Sequence, residues 1–116
     1  MWRAYKVGAS DEVNEKINYA YMVSNNKDFV LTLNAENQSW DEHLHSYKKY
    51  ERGGQLWSDS GICQISRYYH THIVTDPKWS DWRWQIDQCL KLYKSGTRFY
   101  GYDHRHKRGT KIIFNE

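Results

Sequence analysis

The chain has 116 residues, which is enough for one compact domain with a single core and too few for two domains of ordinary size. Aromatic residues make up 16% of it, so it has large side chains to bury and does not belong to the disordered class. The formal net charge of +3 is modest and its excess concentrates in the segment 104–111, so charge favours an anionic partner without identifying it.

The sequence indicates neither a membrane segment nor an export signal. It has no run of the roughly 18 apolar residues that a membrane span needs, so we expect no membrane partner. Its first residues, MWRAYKVGASDE, lack the apolar central region of a secretory signal peptide. The two cysteines, Cys63 and Cys89, fit neither a multi-disulfide framework nor zinc-finger spacing. We expect two buried free thiols, with a single disulfide as the alternative.

The first predicted helix begins after Ser10, which can cap it. Asp11 and Glu12 lie in its first turn, where carboxylates interact favourably with the helix dipole. An apolar stripe follows at helical spacing, and the polar run 24–26 ends the helix. The stripe consists of Val13, Ile17, Ala20 and Tyr21.

A second helix is predicted from Asp28 to Asn37, and it carries a glutamate on its apolar side. At about 100° per residue, Phe29, Leu33 and Glu36 fall within about 60° of one another, so Glu36 faces inward near the C-terminal end of the helix. A carboxylate among apolar groups loses hydration of its charged form, so its pKa should rise, which suits a general acid near neutral pH. The alternatives are a Glu paired with a neighbouring Lys or Arg, and a helix end that frays into water.

The remaining elements follow a long polar segment, 38–55, in which a Gly-Gly pair predicts a turn and a small hairpin. The clearest helix of the chain opens between Asp76 and Ser80 and stops at Gly96. Its apolar stripe consists of Trp82, Gln85, Ile86, Cys89, Leu90 and Tyr93. The apolar residues 112–114 predict a final strand or a last helix turn.

Two motifs lie on either side of the polar hairpin segment: AENQSW, which contains Glu36, and DSGICQISRYY, which contains Asp59 and Gln64. In this order they resemble the lysozyme-like superfamily, in which a helix-borne catalytic glutamate precedes a polar hairpin region and a Gly-x-x-Gln-Ile stretch. The resemblance spans residues 28–102 in element order, and its identities are confined to the two motifs. It implies a mainly α, α+β single domain over residues 1–116, with a small β-hairpin region flanking a cleft.

The resemblance also implies an enzyme without cofactor or metal that cleaves the β-1,4 bond between N-acetylmuramic acid and N-acetylglucosamine in bacterial peptidoglycan. Glu36 resembles the general acid of the family. Asp59 lies where c-type lysozymes have a second carboxylate, in an Asp-x-Gly-Ile-x-Gln-Ile pattern. The chain also resembles goose-type lysozymes and lytic transglycosylases, and lytic transglycosylases have a small uncharged residue at that position. Hydrolysis and 1,6-anhydro product formation both remain open.

For substrate binding, Gln64 resembles the motif glutamine that lies along the cleft, and Tyr100 resembles a late aromatic residue of transglycosylases. Ser60, Tyr68 and Tyr69 are further candidates, the two tyrosines with closure of the core as the alternative. The chain departs from the family pattern in three places. The spacing between the glutamate and the glutamine is longer than in compact transglycosylases, a histidine replaces a sugar-stacking tryptophan at position 70, and a cysteine replaces Leu or Met at position 63.

The missing c-type disulfide pattern favours a bacterial or phage relative. We therefore expect a phage endolysin that remains in the host cytoplasm until it is released to the cell wall, or an enzyme that is part of a phage virion.

Three other functions are weighed against this one. A non-catalytic glycan-binding or assembly module on the same fold would use exposed indoles; the candidates are Trp40, Trp57, Trp79 and Trp84. Nucleic-acid binding through the basic segment leaves Glu36 and the second motif unexplained, so no nucleic-acid partner is expected. Three His-x-His pairs occur, but no Cys or carboxylate lies at ligand spacing from them, so no metal site is expected.

Overall fold

The computed structural model describes residues 1–46, 49–97 and 111–116. Within these ranges the chain forms four α-helices, one 3-10 helix and three two-stranded antiparallel sheets. An α+β mixture in which helices dominate is therefore confirmed. Tyr100 and most of the basic segment, 104–110, lie outside the described residues. None of the helices in the described ranges has the length and apolar character needed to cross a membrane.

Helix α1 (Asp11–Ser24) follows the sequence pattern closely. The Ser10 hydroxyl accepts a hydrogen bond of 3.2 Å from the backbone N–H of Val13, as an N-cap residue does. The helix ends at Asn25, which takes the left-handed conformation that Asn tolerates better than most residues. The predicted first helix is confirmed at both ends.

Helix α2 (Lys27–Glu36) packs against α1 and is also capped at both ends. The Asn26 side chain accepts a hydrogen bond of 3.1 Å from the N–H of Phe29. The helix closes at Asn37, whose N–H donates to the carbonyl of Leu33 over 2.9 Å. Glu36 is therefore the last helical residue, one position from the end that the sequence predicts.

The C-terminal helical region is divided into three pieces: α3 (Thr71–Val74), a 3-10 turn (Pro77–Ser80) and α4 (Trp82–Lys94). Asp81 caps α4 by accepting a hydrogen bond of 2.9 Å from the N–H of Arg83. The predicted helix is thus present, and its Asp-Pro start forms a separate 3-10 turn.

Four of the strands build two adjacent hairpins in the middle of the chain. Strands β2 (Tyr50–Arg52) and β3 (Gln55–Trp57) are joined by the predicted Gly-Gly turn, in which both glycines have positive φ, at 61° and 79°. This is the backbone of a two-residue hairpin turn, which glycine adopts without strain. Strands β4 (Asp59–Ser60) and β5 (Ile65–Ser66) form the second hairpin.

The two ends of the described chain meet in a third sheet. Strand β1 (Ala4–Lys6) pairs with β6 (Ile112–Phe114), and β1 packs against α1. The strand alternative for residues 112–114 is confirmed, whereas β1 was not predicted from the sequence.

The core lies between α1, α2, α4 and the β4–β5 turn. Its largest fully buried side chains are Trp40, Phe29, Ile17, Leu33, Ile62 and Ile65. The indole N–H of Trp40 donates to the Asn34 side chain over 3.0 Å, so its one polar group is paired inside the core.

Cys63 and Cys89 form a disulfide, so the expectation of two free thiols is wrong. Both residues are buried, and the bond joins the β4–β5 turn to α4 across 26 positions of sequence. Burial of both cysteines is compatible with two free thiols and with a disulfide. The packing of the turn on α4 brings the two sulfurs together.

We predict that the double variant Cys63→Ala/Cys89→Ala is less stable than the wild type by about 3 to 4 kcal/mol, because the unfolded chain regains the entropy of an open loop. Urea unfolding of both proteins measures the difference. Alkylation in denaturant without reductant should leave the wild-type thiols unlabelled. Equal midpoints, or two labelled thiols, would contradict the bond.

Candidate active site

Glu36 sits at the end of α2, half-buried, with its Oε1 atom out of contact with solvent. Phe29 and Leu33, on the same side of the helix, are fully buried. The inward position that the helical spacing predicts for Glu36 is therefore present.

Asn37 connects this helix end to the second motif. Its side chain is 1% exposed, and its Nδ2 donates to the carbonyl of Gly61 over 3.0 Å and to that of Asp41 over 2.8 Å. Its Oδ1 accepts from the Ser39 hydroxyl and from the N–H of Asp41. The amide thus uses its donors and its acceptor inside the protein, and it holds the residue after Glu36 against the turn that follows Asp59. The sequence analysis did not single out Asn37.

Gly61 begins that turn and cannot be replaced without conflict. Its φ is +82°, and a Cβ at this position would lie 2.4 Å from Trp79 and 2.7 Å from the Oε1 of Gln85. That same Oε1 accepts the N–H of Ile62 over 3.0 Å, so the close approach of backbone and side chain is part of how α4 holds the turn.

Gln64 closes the turn from inside. Its side chain is nearly buried, and its Nε2 donates to the carbonyls of Leu44 over 3.0 Å and Gly61 over 2.9 Å. The backbone of Gln64 has a φ of 49°, which non-glycine residues rarely adopt. Gln64, which the sequence predicts to bind substrate, therefore stabilises the turn through its side-chain hydrogen bonds, and 7% of its surface is exposed.

Asp59 opens β4 opposite Ser66, so the two side chains share one face of the hairpin. The Tyr50 hydroxyl hydrogen-bonds to the Ser66 hydroxyl and interacts with the Asp59 carboxylate of the same hairpin. Half-burial raises the pKa of Asp59 above its ordinary value, and the hydrogen bond from Tyr50 opposes that rise. Tyr50, which the sequence analysis missed, is a direct partner of the second carboxylate.

Ser60 faces the other side of the hairpin and is fully buried. Its hydroxyl lies 2.7 Å from His45 Nδ1 and accepts a hydrogen bond of 3.2 Å from Arg67. Because Arg67 can only donate, the Ser60 hydroxyl is free to donate to His45. In this arrangement Ser60 orients neighbouring side chains and has no surface to offer a substrate.

Tyr68 and Tyr69 follow β5 and are 39% and 61% exposed, so they do not close the core. Their rings meet edge to face at 4.9 Å, and Trp57 meets Tyr68 in the same way at 5.5 Å. Together with Tyr50 these rings form an aromatic patch on the hairpin side of the protein. The patch consists of Tyr50, Trp57, Tyr68 and Tyr69.

Two buried lysines hold the segment after Glu36. Lys16 is 3% exposed, and its Nζ lies 2.7 Å from Glu42 and 3.0 Å from the carbonyl of Trp40. Lys6 donates to the carbonyl of Gln38 over 2.7 Å, and burial lowers the pKa of Lys6. Both lysines therefore hold the segment 38–42, and their sequence positions alone do not reveal this role.

The other predicted sites have different outcomes. Trp40 is fully buried, and Trp79 and Trp84 pack against the core, so among the indoles proposed for glycan binding only Trp57 joins the aromatic patch. Burial and the nearby His72 lower the pKa of His70. In the described ranges, no group of three or more His, Cys, Asp or Glu is placed to hold a metal ion.

Comparison of the chain with protein-family models, with curated proteins and with solved structures gives no match in any of the three.

We predict that Gly61→Ala is much more destabilising than Gly54→Ala. Gly54 has a similar φ of +79° and nothing within 4 Å of a Cβ, so it carries only the conformational strain of about 1 kcal/mol. Gly61→Ala adds overlap with Trp79, which should cost about a further 1 to 3 kcal/mol. Urea unfolding of the two variants measures the difference, and equal losses would show that the contact is unimportant.

We predict that Tyr50→Phe raises the pKa of Asp59 further, because it removes a hydrogen bond that favours the charged form. Carboxyl-carbon NMR titration measures this pKa. The matched control is Tyr19→Phe, which breaks a 2.7 Å bond to Asp87 and should leave Asp59 unchanged. An unchanged or lower pKa in Tyr50→Phe would contradict the pairing.

The sign of the linked stability follows from that direction. The pKa of Asp59 in the folded state lies above its ordinary value of 3.8, so folding favours the protonated form. The charged form therefore weakens folding increasingly as the pH rises through 3.8 and up to the folded pKa. Tyr50→Phe should lose more stability at neutral pH than at a pH well below 3.8.

Proposed function

We propose that this protein is a lysozyme-like glycosidase that cleaves the β-1,4 bond between N-acetylmuramic acid and N-acetylglucosamine in bacterial peptidoglycan. The observation that carries the proposal is the 3.0 Å hydrogen bond from Asn37 to Gly61. It holds the helix end that bears Glu36 against Gly61, two residues after Asp59, so the two motifs that carry the proposed carboxylates meet in the fold. Glycosidic cleavage needs such a pair, or one acid with help from the substrate.

Glu36 is assigned as the general acid. It is half-buried against an apolar helix face, and it lies at the C-terminal end of α2, where the helix dipole disfavours negative charge. A carboxyl group in this position can act as a general acid that donates its proton to the glycosidic oxygen.

Asp59 has a different environment: burial raises its pKa, and the hydrogen bond from the Tyr50 hydroxyl opposes that rise. We assign it as the partner of the acid, because two carboxylates in different surroundings can take different roles. In a hydrolase, Asp59 would stabilise the oxocarbenium-like transition state or activate water. In a transglycosylase, Glu36 would act as acid and then as base while the 6-hydroxyl of the muramic acid attacks the anomeric carbon.

The exposed rings of Tyr68 and Tyr69 support a sugar substrate, since aromatic faces offer flat apolar contact to sugar rings. The disulfide supports action outside the reducing cytosol, either as a phage endolysin at the cell wall or as part of a virion. The same exposed rings support a second candidate, a glycan-binding module without catalysis.

We predict that Glu36→Gln lowers the rate of peptidoglycan digestion by about 10²- to 10⁴-fold, because it removes the proton donor and keeps the side chain's size. The matched control is Glu15→Gln, an exposed glutamate on α1 that pairs with exposed Arg83. Release of soluble muropeptides, identified by mass, measures the rate.

The product mass separates the two chemistries. Fragments that end in a reducing sugar indicate hydrolysis, and fragments lighter by one water indicate a 1,6-anhydro product. If the wild type binds several wall types but releases nothing from any of them, the enzyme is rejected and the glycan-binding module is supported. Equal rates for wild type and Glu36→Gln would reject the assignment of the acid.

A further inference from the structure

One cation adjoins the aromatic patch and has no role in the proposed cleavage. Arg52 ends β2 on an exposed surface, and its guanidinium lies 5.4 Å from the centre of the Tyr50 ring. Its Nε donates to the Tyr69 hydroxyl over 3.2 Å, and another N–H donates to the carbonyl of Glu51 over 2.9 Å. Among the residues that the structure describes, no carboxylate lies within ion-pair distance of it.

The hairpin holds Arg52 in place before any ligand arrives. The indole N–H of Trp57 donates to the carbonyl of Arg52 over 3.0 Å, and the Gly-Gly turn follows directly. The guanidinium of a surface arginine is usually mobile. Here the guanidinium of Arg52 is held by the cross-strand pairing of its backbone, by the ring contact and by two hydrogen bonds. A group that is fixed in advance loses less conformational entropy when it binds.

The chemistry of this surface selects its ligand. A guanidinium has five N–H donors in a planar fork. Within the described residues two of its nitrogens are engaged, so the remaining N–H groups can take a carboxylate. The Tyr69 ring beside it is 61% exposed, which offers a face to a sugar. An aromatic face next to a guanidinium that no carboxylate of the described residues pairs with fits a sugar that carries a carboxylate.

The surface is continuous with the candidate active site. The Tyr50 ring lies beneath the Arg52 guanidinium, and the hydroxyl of the same ring bonds to Asp59. The side chain of Tyr50 alone therefore links Asp59 to Arg52, and a polymer bound at Asp59 can reach Arg52 across it.

We propose that Arg52 is a specificity-determining residue that binds the acidic arm of muramic acid, the lactyl carboxylate or the peptide carboxylates that extend it, while Tyr69 packs against the sugar. The glycan strand as ligand rests on the proposed function. The added claim is that the protein distinguishes an acidic glycan from a neutral glycan with the same β-1,4 backbone.

Binding tests this claim independently of cleavage. The probes are a soluble strand of alternating N-acetylglucosamine and N-acetylmuramic acid, a chitin oligosaccharide of equal length, and a single-stranded oligonucleotide. Each is titrated into the Glu36→Gln protein, which prevents turnover, with and without Arg52→Gln, and tryptophan fluorescence reports the affinity.

We expect Arg52→Gln to weaken binding of the acidic strand about tenfold, the loss of one charge-assisted contact, and to change chitin binding by less than about twofold. Arg52→Lys keeps the charge and loses the fork, so it should recover only part of the affinity. The matched control is Arg83→Gln, which removes an exposed arginine that lies 4.1 Å from the Trp82 ring on α4. It should change neither affinity.

Equal weakening for acidic and neutral strands, or no effect of Arg52→Gln, overturns the proposal. Arg52-dependent binding of the oligonucleotide that is tighter than that of the acidic strand overturns it in favour of a nucleic-acid surface. Selective binding of the acidic strand without cleavage by the wild type supports Arg52 while rejecting the glycosidase. If the protein cleaves and Arg52→Gln leaves its selectivity unchanged, the glycosidase is supported and the role of Arg52 is rejected.

Discussion

The buried side chain of Asn37 is the constraint on which the candidate site depends. A buried amide that loses a partner costs about 1 to 3 kcal/mol, so the arrangement that satisfies its donors and its acceptor together is strongly preferred. That arrangement joins the end of α2 to the carbonyl of Gly61. The position of the helix end that bears Glu36 relative to the second motif is therefore fixed by a neighbouring amide.

The β4–β5 turn is held from the opposite side by α4. Its hairpin has only two residues in each strand, too few to be stable alone. Stability comes from its attachments: the Cys63–Cys89 disulfide, the hydrogen bond from Ile62 to Gln85, and the packing of Trp79 on Gly61. The turn thus connects α2 and α4, and a disturbance on either side would move Asp59 relative to Glu36.

Local features were predictable from sequence, and long-range ones were not. Capping residues and helical spacing act over a few positions, so α1, α2 and the Gly-Gly hairpin were predicted near their observed bounds. Strand β1 has three residues and pairs with residues 112–114, so no local pattern marks it. The disulfide and the partners of Asn37 depend on how separate elements pack. In the site, the inward glutamate was predictable, whereas Tyr50 and the buried state of Ser60 required the packed structure.

Two features of the hairpin region are unfavourable in the free protein. Burial raises the pKa of Asp59, so the folded state disfavours its charged form. Tyr69 leaves 61% of its surface in water although other rings of the protein are buried. Each of these weakens the folded state, and the disulfide, the buried lysines and the amide network offset the cost. Under the proposed function a ligand would cover the exposed ring and the reaction would use the carboxylate, so the bound complex would recover what the free protein gives up.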